Sequence, residues 1–217
     1  FSRPLFDGRL AQTAEKVHKQ TGREFFTRNC RILRLEPSEA GTAYLYGVLC
    51  HYCLDIHCHP FVSEQTKTGE ASHPQIETEF DRFLLEKDGK VPPCSQDLSR
   101  HMRLTPGECE TVAKFYPPAS ARYVETAIKG MAFFSRLLAT PEGPRRTVLT
   151  KGMNIVASAY RGMLMTSGPD PQCAHLDEAL LERYNAAAEA FPEMLAQLQA
   201  HMTYTAPFGK EFDNTFG

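Results

Sequence analysis

Between Tyr44 and His59 the sequence is apolar on nearly every side of a helix, yet one side carries His and Asp a turn apart. Tyr44, Leu45, Tyr46, Val48, Leu49, Tyr52, Leu54 and Ile56 make the apolar sides. On a helix each residue advances about 100°, so His51, Asp55 and His59 fall at about 0°, 40° and 80° and form one stripe. His57 falls about 200° from the middle of that stripe and points elsewhere. If the helix is buried, the stripe must find partners. A metal ion satisfies several such groups at once. Imidazole with carboxylate is the donor set zinc takes in a catalytic site, where one position is left for water. Downstream, His73 and Glu77 repeat the four-residue step and Asp81 extends it. A lone helical histidine is more often packed or solvated than a ligand. Two neighbouring helices that each offer a His and a carboxylate shift that balance toward a metal.

The rest of the chain reads as helices. The pattern predicts helical stretches over Leu10 to Gln20 and Glu24 to Leu35, with Gly22 as a break between them. A third starts near Ser38 and ends near Cys58, stopped by Pro60. A polar loop, Ser63 to Ala71, leads to Ser72-His73-Pro74, a helix start that runs to Lys87. Lys90 to Gly107 reads as an irregular, loop-rich insert. Long helical stretches over Ala119 to Ala139, Arg145 to Thr166 and His175 to Met202 complete the chain. No period-two strand pattern, repeat or low-complexity tract is visible, so the expected fold is all-α, one domain over residues 1–217 with about seven helices. Met131, Phe133, Phe134 and Leu137 read as a core stripe, as do Met153, Ile155, Val156 and Tyr160. His101, His175 and His201 read as surface residues, and the Arg145-Arg146 pair as solvated.

Charge limits the classes of partner. The net charge is -2, which gives no global reason to bind nucleic acid or an anionic membrane. No apolar run reaches the length of a membrane span. Seven cysteines in a chain of this length do not read as a disulfide framework. They point to a reducing compartment and a cytoplasmic location. The chain opens on Phe1 rather than Met, and an N-terminal segment is expected before it, which leaves secretion open.

Other chemistries compete at the same residues. Cys50, Cys53 and Cys58 could join histidines around a structural zinc, and Cys50-x-x-Cys53 has the spacing of a redox pair. Neither has a second Cys pair at matching spacing, and Cys53 faces away from the His51 stripe. Cys30, Cys94, Cys109 and Cys173 read as small apolar residues. Glu15 with His18 and Glu70 with His73 have the Glu-x-x-His spacing of di-iron carboxylate bundles, although Glu70 precedes the helix start at Ser72.

The run Tyr46-Gly47-x-Leu49-Cys50-His51-Tyr52-x-Leu54-Asp55-x-x-Cys58-His59-Pro60, followed by His73-x-x-Ile76-Glu77-x-Glu79-Phe80-Asp81, resembles the bacterial zinc-dependent phospholipase C family. The likeness is strong over Phe25 to Leu85 and general beyond. It implies the all-α fold shared with single-strand-specific nucleases, about one to three zinc ions, and hydrolysis of a phosphodiester or phospholipid head group. It implies His51, Asp55, His59, His73 and Glu77 as metal ligands, with Asp55 bridging two metals, and His18 as an upstream ligand. The family's amino-terminal Trp ligand has no counterpart, because the chain has no Trp. Its remaining ligands are expected at or before the start of the chain. Asp55 and Asp81 are the expected catalytic carboxylates, Asp81 as a base or as support for the ligands. The alternatives are a non-catalytic helical binding module braced by one zinc, and a di-iron oxidoreductase. Nucleic acid is not an expected partner, and the oligomeric state is open.

Overall fold

A computed structural model describes residues 16–67, 69–156 and 162–216, with the backbone alone for 153–156. Among the described residues the chain is helical, and its only strand-like pairing is an isolated bridge between Thr21 and Thr215. Seven α-helices follow in order: α1 (Gly22–Leu35), α2 (Glu39–Lys67), α3 (His73–Lys87), α4 (Pro106–Phe115), α5 (Ala121–Leu138), α6 (Pro144–Val156) and α7 (Asp177–Tyr204). Contacts divide the chain into two compact units, one of residues 1–59, 103–128 and 183–217, the other of 60–102 and 129–182. Helices α2, α5 and α7 each run unbroken from one unit into the other.

The first unit is built on aromatic packing. Phe25, Phe26, Leu49, Tyr52, Phe212 and Phe216 share one buried cluster. Phe25 meets Phe26 edge to face at 5.3 Å, and Phe26 meets Phe212 likewise at 5.7 Å. Such edge-to-face pairs set the positive ring edge on the negative ring face. The Tyr52 hydroxyl donates toward the carbonyls of Glu211 at 2.8 Å and Asn214 at 2.9 Å. Gly22 opens α1 rather than breaking the chain there. Thr21 caps the helix in a reciprocal box with Glu24. A Cβ at position 22 would lie 2.5 Å from the Tyr52 ring, so this close approach needs glycine.

The second unit is held by buried charge as well as by apolar contact. Val62, Ile76 and Leu85 are buried, and so are Glu79, Arg82 and Asp177. Arg82 Nε donates to Glu79 Oε1 at 2.8 Å, and its Nη2 lies 3.7 Å from Asp177 Oδ2. Its Nη1 pairs with Glu86. Glu79 Oε2 accepts from the backbone N–H of Asp170 at 3.0 Å, and Gln75 Nε2 donates to Asp170 Oδ2 at 2.9 Å. One face of α3 is thereby tied to the segment from Asp170 to Asp177.

Several elements differ from the sequence expectation. Pro60 does not stop its helix. It lies inside α2, which continues to Lys67, because Val62 beyond it is buried and packing outweighs the lost backbone bond. The expected irregular insert contains two short 3-10 turns, Pro93–Ser95 and Leu98–His101, with Cys94 and Ser99 buried. Helix α4 is a separate element beyond the expected stretches, opened by a capping box of Thr105 and Glu108. Helix α6 is described as far as Val156, and residues 162–166, within the expected helix, are not helical. His201 is buried, stacked on Phe208 at 4.3 Å, with Nδ1 bonded to the Ala206 carbonyl at 2.6 Å. Phe133 and Met131 are 56% and 43% exposed and are not core. Arg145 is exposed as expected, whereas Arg146 is partly buried and donates to the carbonyls of Leu164 and Met165. Tyr160 and most of the stretch Leu10 to Gln20 lie outside the described residues.

Candidate metal centre

Helix α2 sets His51, Asp55 and His59 at successive four-residue steps, as the spacing requires. The Asp55 side chain is only 7% exposed. Its two oxygens face different imidazoles. His51 Nε2 lies 3.1 Å from Oδ2, and His59 Nε2 lies 3.6 Å from Oδ1. The side chain of His51 is 63% exposed and that of His59 is 21% exposed, so the stripe runs from a solvent-facing end to a sheltered one. A buried carboxylate with one imidazole on each oxygen has the form of a bridging ligand.

Helix α3 opens with the second pair. Ser72 stands at its N-cap and Pro74 in its first turn, where a missing N–H costs nothing. His73 Nε2 lies 2.9 Å from Glu77 Oε1, and both side chains reach solvent. Imidazole nitrogen with carboxylate oxygen is the donor set that zinc takes in catalytic sites, and each unit offers it separately, at Asp55 with His51 and His59 in the first and at His73 with Glu77 in the second. The residues present therefore fit the ion that the sequence pattern implies.

Asp81 follows Glu77 by one turn. Its side chain is exposed by surface area, yet the protein crowded around its carboxyl and the Glu77 charge raise it to about 6. His18 is exposed near the end of a helical turn. Glu15 lies outside the described residues. His57 turns back on its own helix, its Nδ1 2.7 Å from the Cys53 carbonyl. Cys53 is buried, its thiol donates to the Ala187 carbonyl at 3.2 Å, and burial pushes it up to about 11. A redox pair needs a thiol lowered toward neutrality, so this geometry lends Cys50 and Cys53 no such role.

The support beneath this pair is buried charge. Glu79, Arg82 and Glu86 occupy the other side of α3, and their steps of three and four residues were a readable charge pattern. The burial of Glu79 and Arg82 was not readable, since it depends on segment 170–177 folding back nearly a hundred residues later.

Comparison with known proteins adds one result. A model of the zinc-dependent phospholipase C family matches residues 4–130, more than half of the chain and all five clustered histidines and carboxylates of α2 and α3. No curated protein and no solved structure matches significantly.

Proposed function

Because the chain belongs to the zinc-dependent phospholipase C family, we propose that it hydrolyses phosphodiesters, with a phospholipid head group as the substrate class. The observation that carries this reading is the pair of contacts at Asp55, one imidazole to each oxygen. Zinc, when bound, lowers the pKa of a coordinated water to about 7 and so supplies hydroxide at neutral pH. His51, Asp55, His59, His73 and Glu77 would hold about one to three ions, with Asp55 fixing the distance between two of them. His18 is the upstream candidate ligand. Asp81, one turn past Glu77, is the candidate group to accept a proton or to hold a ligand in position.

A closed structural brace would hold its zinc with four protein ligands and no water, whereas a catalytic zinc keeps a position open for water. The test is Asp55→Asn, with zinc measured by elemental analysis and turnover on a water-soluble phosphodiester. The amide keeps the shape and loses the charge. Zinc content should fall, and turnover should drop about a hundredfold or more. A folded Asn variant with full turnover would sink the reading. Zinc retained with no turnover in the unmodified protein would favour the brace, and iron in its place would favour the di-iron reading.

A further inference from the structure

Gln75 stands between the two ligands of α3 in sequence and opposite them on the helix. His73, Gln75 and Glu77 fall at about 0°, 200° and 40°, so Gln75 leaves the face that His73 and Glu77 share. One segment of the second unit grips it there. Gln75 Nε2 donates to Asp170 Oδ2 at 2.9 Å and to Gln172 Oε1 at 2.7 Å. The buried Cys173 thiol lies 3.8 Å from the Gln75 carbonyl oxygen. Gly162 meets the same residue with its backbone. A Cβ at position 162 would lie 2.5 Å from Gln75 Cβ and 2.9 Å from Gln75 Cα. The Gly162 φ of 85° also lies in the left-handed region that other residues rarely enter.

The grip extends to both ends of the ligand pair. Gln75 Oε1 lies 3.5 Å from the backbone nitrogen of Ser72, the residue before His73. The backbone N–H of Asp170 donates to Glu79 Oε2 at 3.0 Å, two residues past Glu77. Asp170 Oδ1 accepts from the backbone N–H of Gln172 at 3.0 Å, which holds the gripping turn itself in shape. His73 is the first residue of α3, and the side chains of His73 and Glu77 are 36% and 46% exposed. First turns of helices fray, because their N–H groups have no partner within the helix. A ligand pair set in a first turn and facing water has to be held from behind. Groups that orient metal ligands change metal affinity by roughly tenfold to a hundredfold.

We infer that Gln75 is the positioning residue for the His73–Glu77 pair, and that the segment 162–173 is the clamp that keeps Gln75 in place. This rests on the hydrolase reading in one respect, that His73 and Glu77 hold zinc. The linkage runs both ways. If the seated clamp favours zinc, zinc favours the seated clamp by the same factor. Two measurements on the full chain therefore bear on it. Zinc affinity is read by competition with a chromophoric chelator, and hydrogen exchange at the Asp170 amide is read with and without zinc. Turnover on a water-soluble phosphodiester is followed in parallel.

Gln75→Ala should weaken zinc binding about tenfold at the site that His73→Ala removes, and Gly162→Ala should do the same by unseating the clamp. In a His73→Ala background, Gln75→Ala should change zinc affinity no further. Gln75→Glu sets a carboxylate against Asp170 and should also weaken zinc binding. Adding Asp170→Asn restores a donor opposite an acceptor and should recover it. In the unmodified protein zinc should slow exchange at the Asp170 amide about tenfold, a readout that needs no variant to fold. An equal loss from Gln75→Ala with and without His73 overturns the inference, since Gln75 then supports the fold at large. So does unchanged zinc affinity in Gln75→Ala, or exchange at Asp170 that is indifferent to zinc. Coupled affinity and exchange without turnover uphold this inference and remove the hydrolase reading. Turnover with zinc affinity indifferent to Gln75 does the reverse.

Discussion

The two compact units hold their ligand-bearing helices by opposite means. In the first, Tyr52 and Leu49 fix α2 within a cluster of aromatic rings contributed by α1 and the segment 208–216. In the second, Arg82 fixes α3 by pairing with Glu79 and Asp177 out of water. Aromatic packing is indifferent to pH and salt over the ordinary range. A buried ionic centre is not, because each member is costly once its partner is gone. The helix with the sheltered Asp55 is thus held in an insensitive way, and the helix with the more open His73 and Glu77 in a sensitive one.

The largest test of that contrast is Phe26→Ala, which opens a cavity among five aromatic neighbours. It should cost about 4 kcal/mol in urea unfolding, with no dependence on pH. Arg82→Met should cost about 3 kcal/mol, because Glu79 and Asp177 then face each other without a cation. Replacing all three with apolar residues, as Arg82→Met, Glu79→Leu and Asp177→Leu, should recover most of that loss, since the charges leave together. A triple variant no more stable than the single one would break the ionic account of the second unit.

A gentler effect is a slope with pH. Burial, and then the charge of Glu79, raise the Asp177 carboxyl to about 7 from an ordinary value of 3.8. The folded state therefore favours the protonated acid. That stability is fully present below about pH 4 and is lost as pH rises through about 7. Asp177→Asn keeps the neutral form at every pH. Its melting temperature relative to the unmodified protein should rise steadily between those limits, and a flat difference would contradict the shift. The smallest expected change is Tyr52→Phe. It removes a hydroxyl donated to the Glu211 and Asn214 carbonyls and should cost about 1 kcal/mol at any pH.

The sequence made some of this architecture legible and hid the rest for identifiable reasons. His51, Asp55 and His59 could be set on one stripe because helical geometry is local, and the stripe then had to be explained on an apolar helix. His73 and Glu77 followed by the same step. At Pro60 the local cost of a proline is legible in the sequence, whereas the burial of Val62 that outweighs it is not. His201 and Phe133 misled in opposite directions. The first is covered by Phe208 and the chain beyond α7, and the second is uncovered although it sits in an apolar run. Helix α4 carried its own signal in Thr105 and Glu108, set beside prolines that suggested a loop. The Arg82 centre was half visible, its spacing readable on α3 and its third member, Asp177, far along the chain.

The bond between Arg23 and Asp213 spans 190 residues, and the rings of Phe26 and Phe212 meet across almost the same distance in sequence. Seen as a matter of time, α1 emerges from the ribosome long before its partners exist. At about 5–20 residues per second the wait is on the order of ten to forty seconds. Throughout that interval Phe25, Phe26 and Tyr52 lack the rings that cover them in the finished fold. A chain of this design depends on whatever shelters nascent apolar helices, and its yield should respond to the speed of translation more than its final stability suggests.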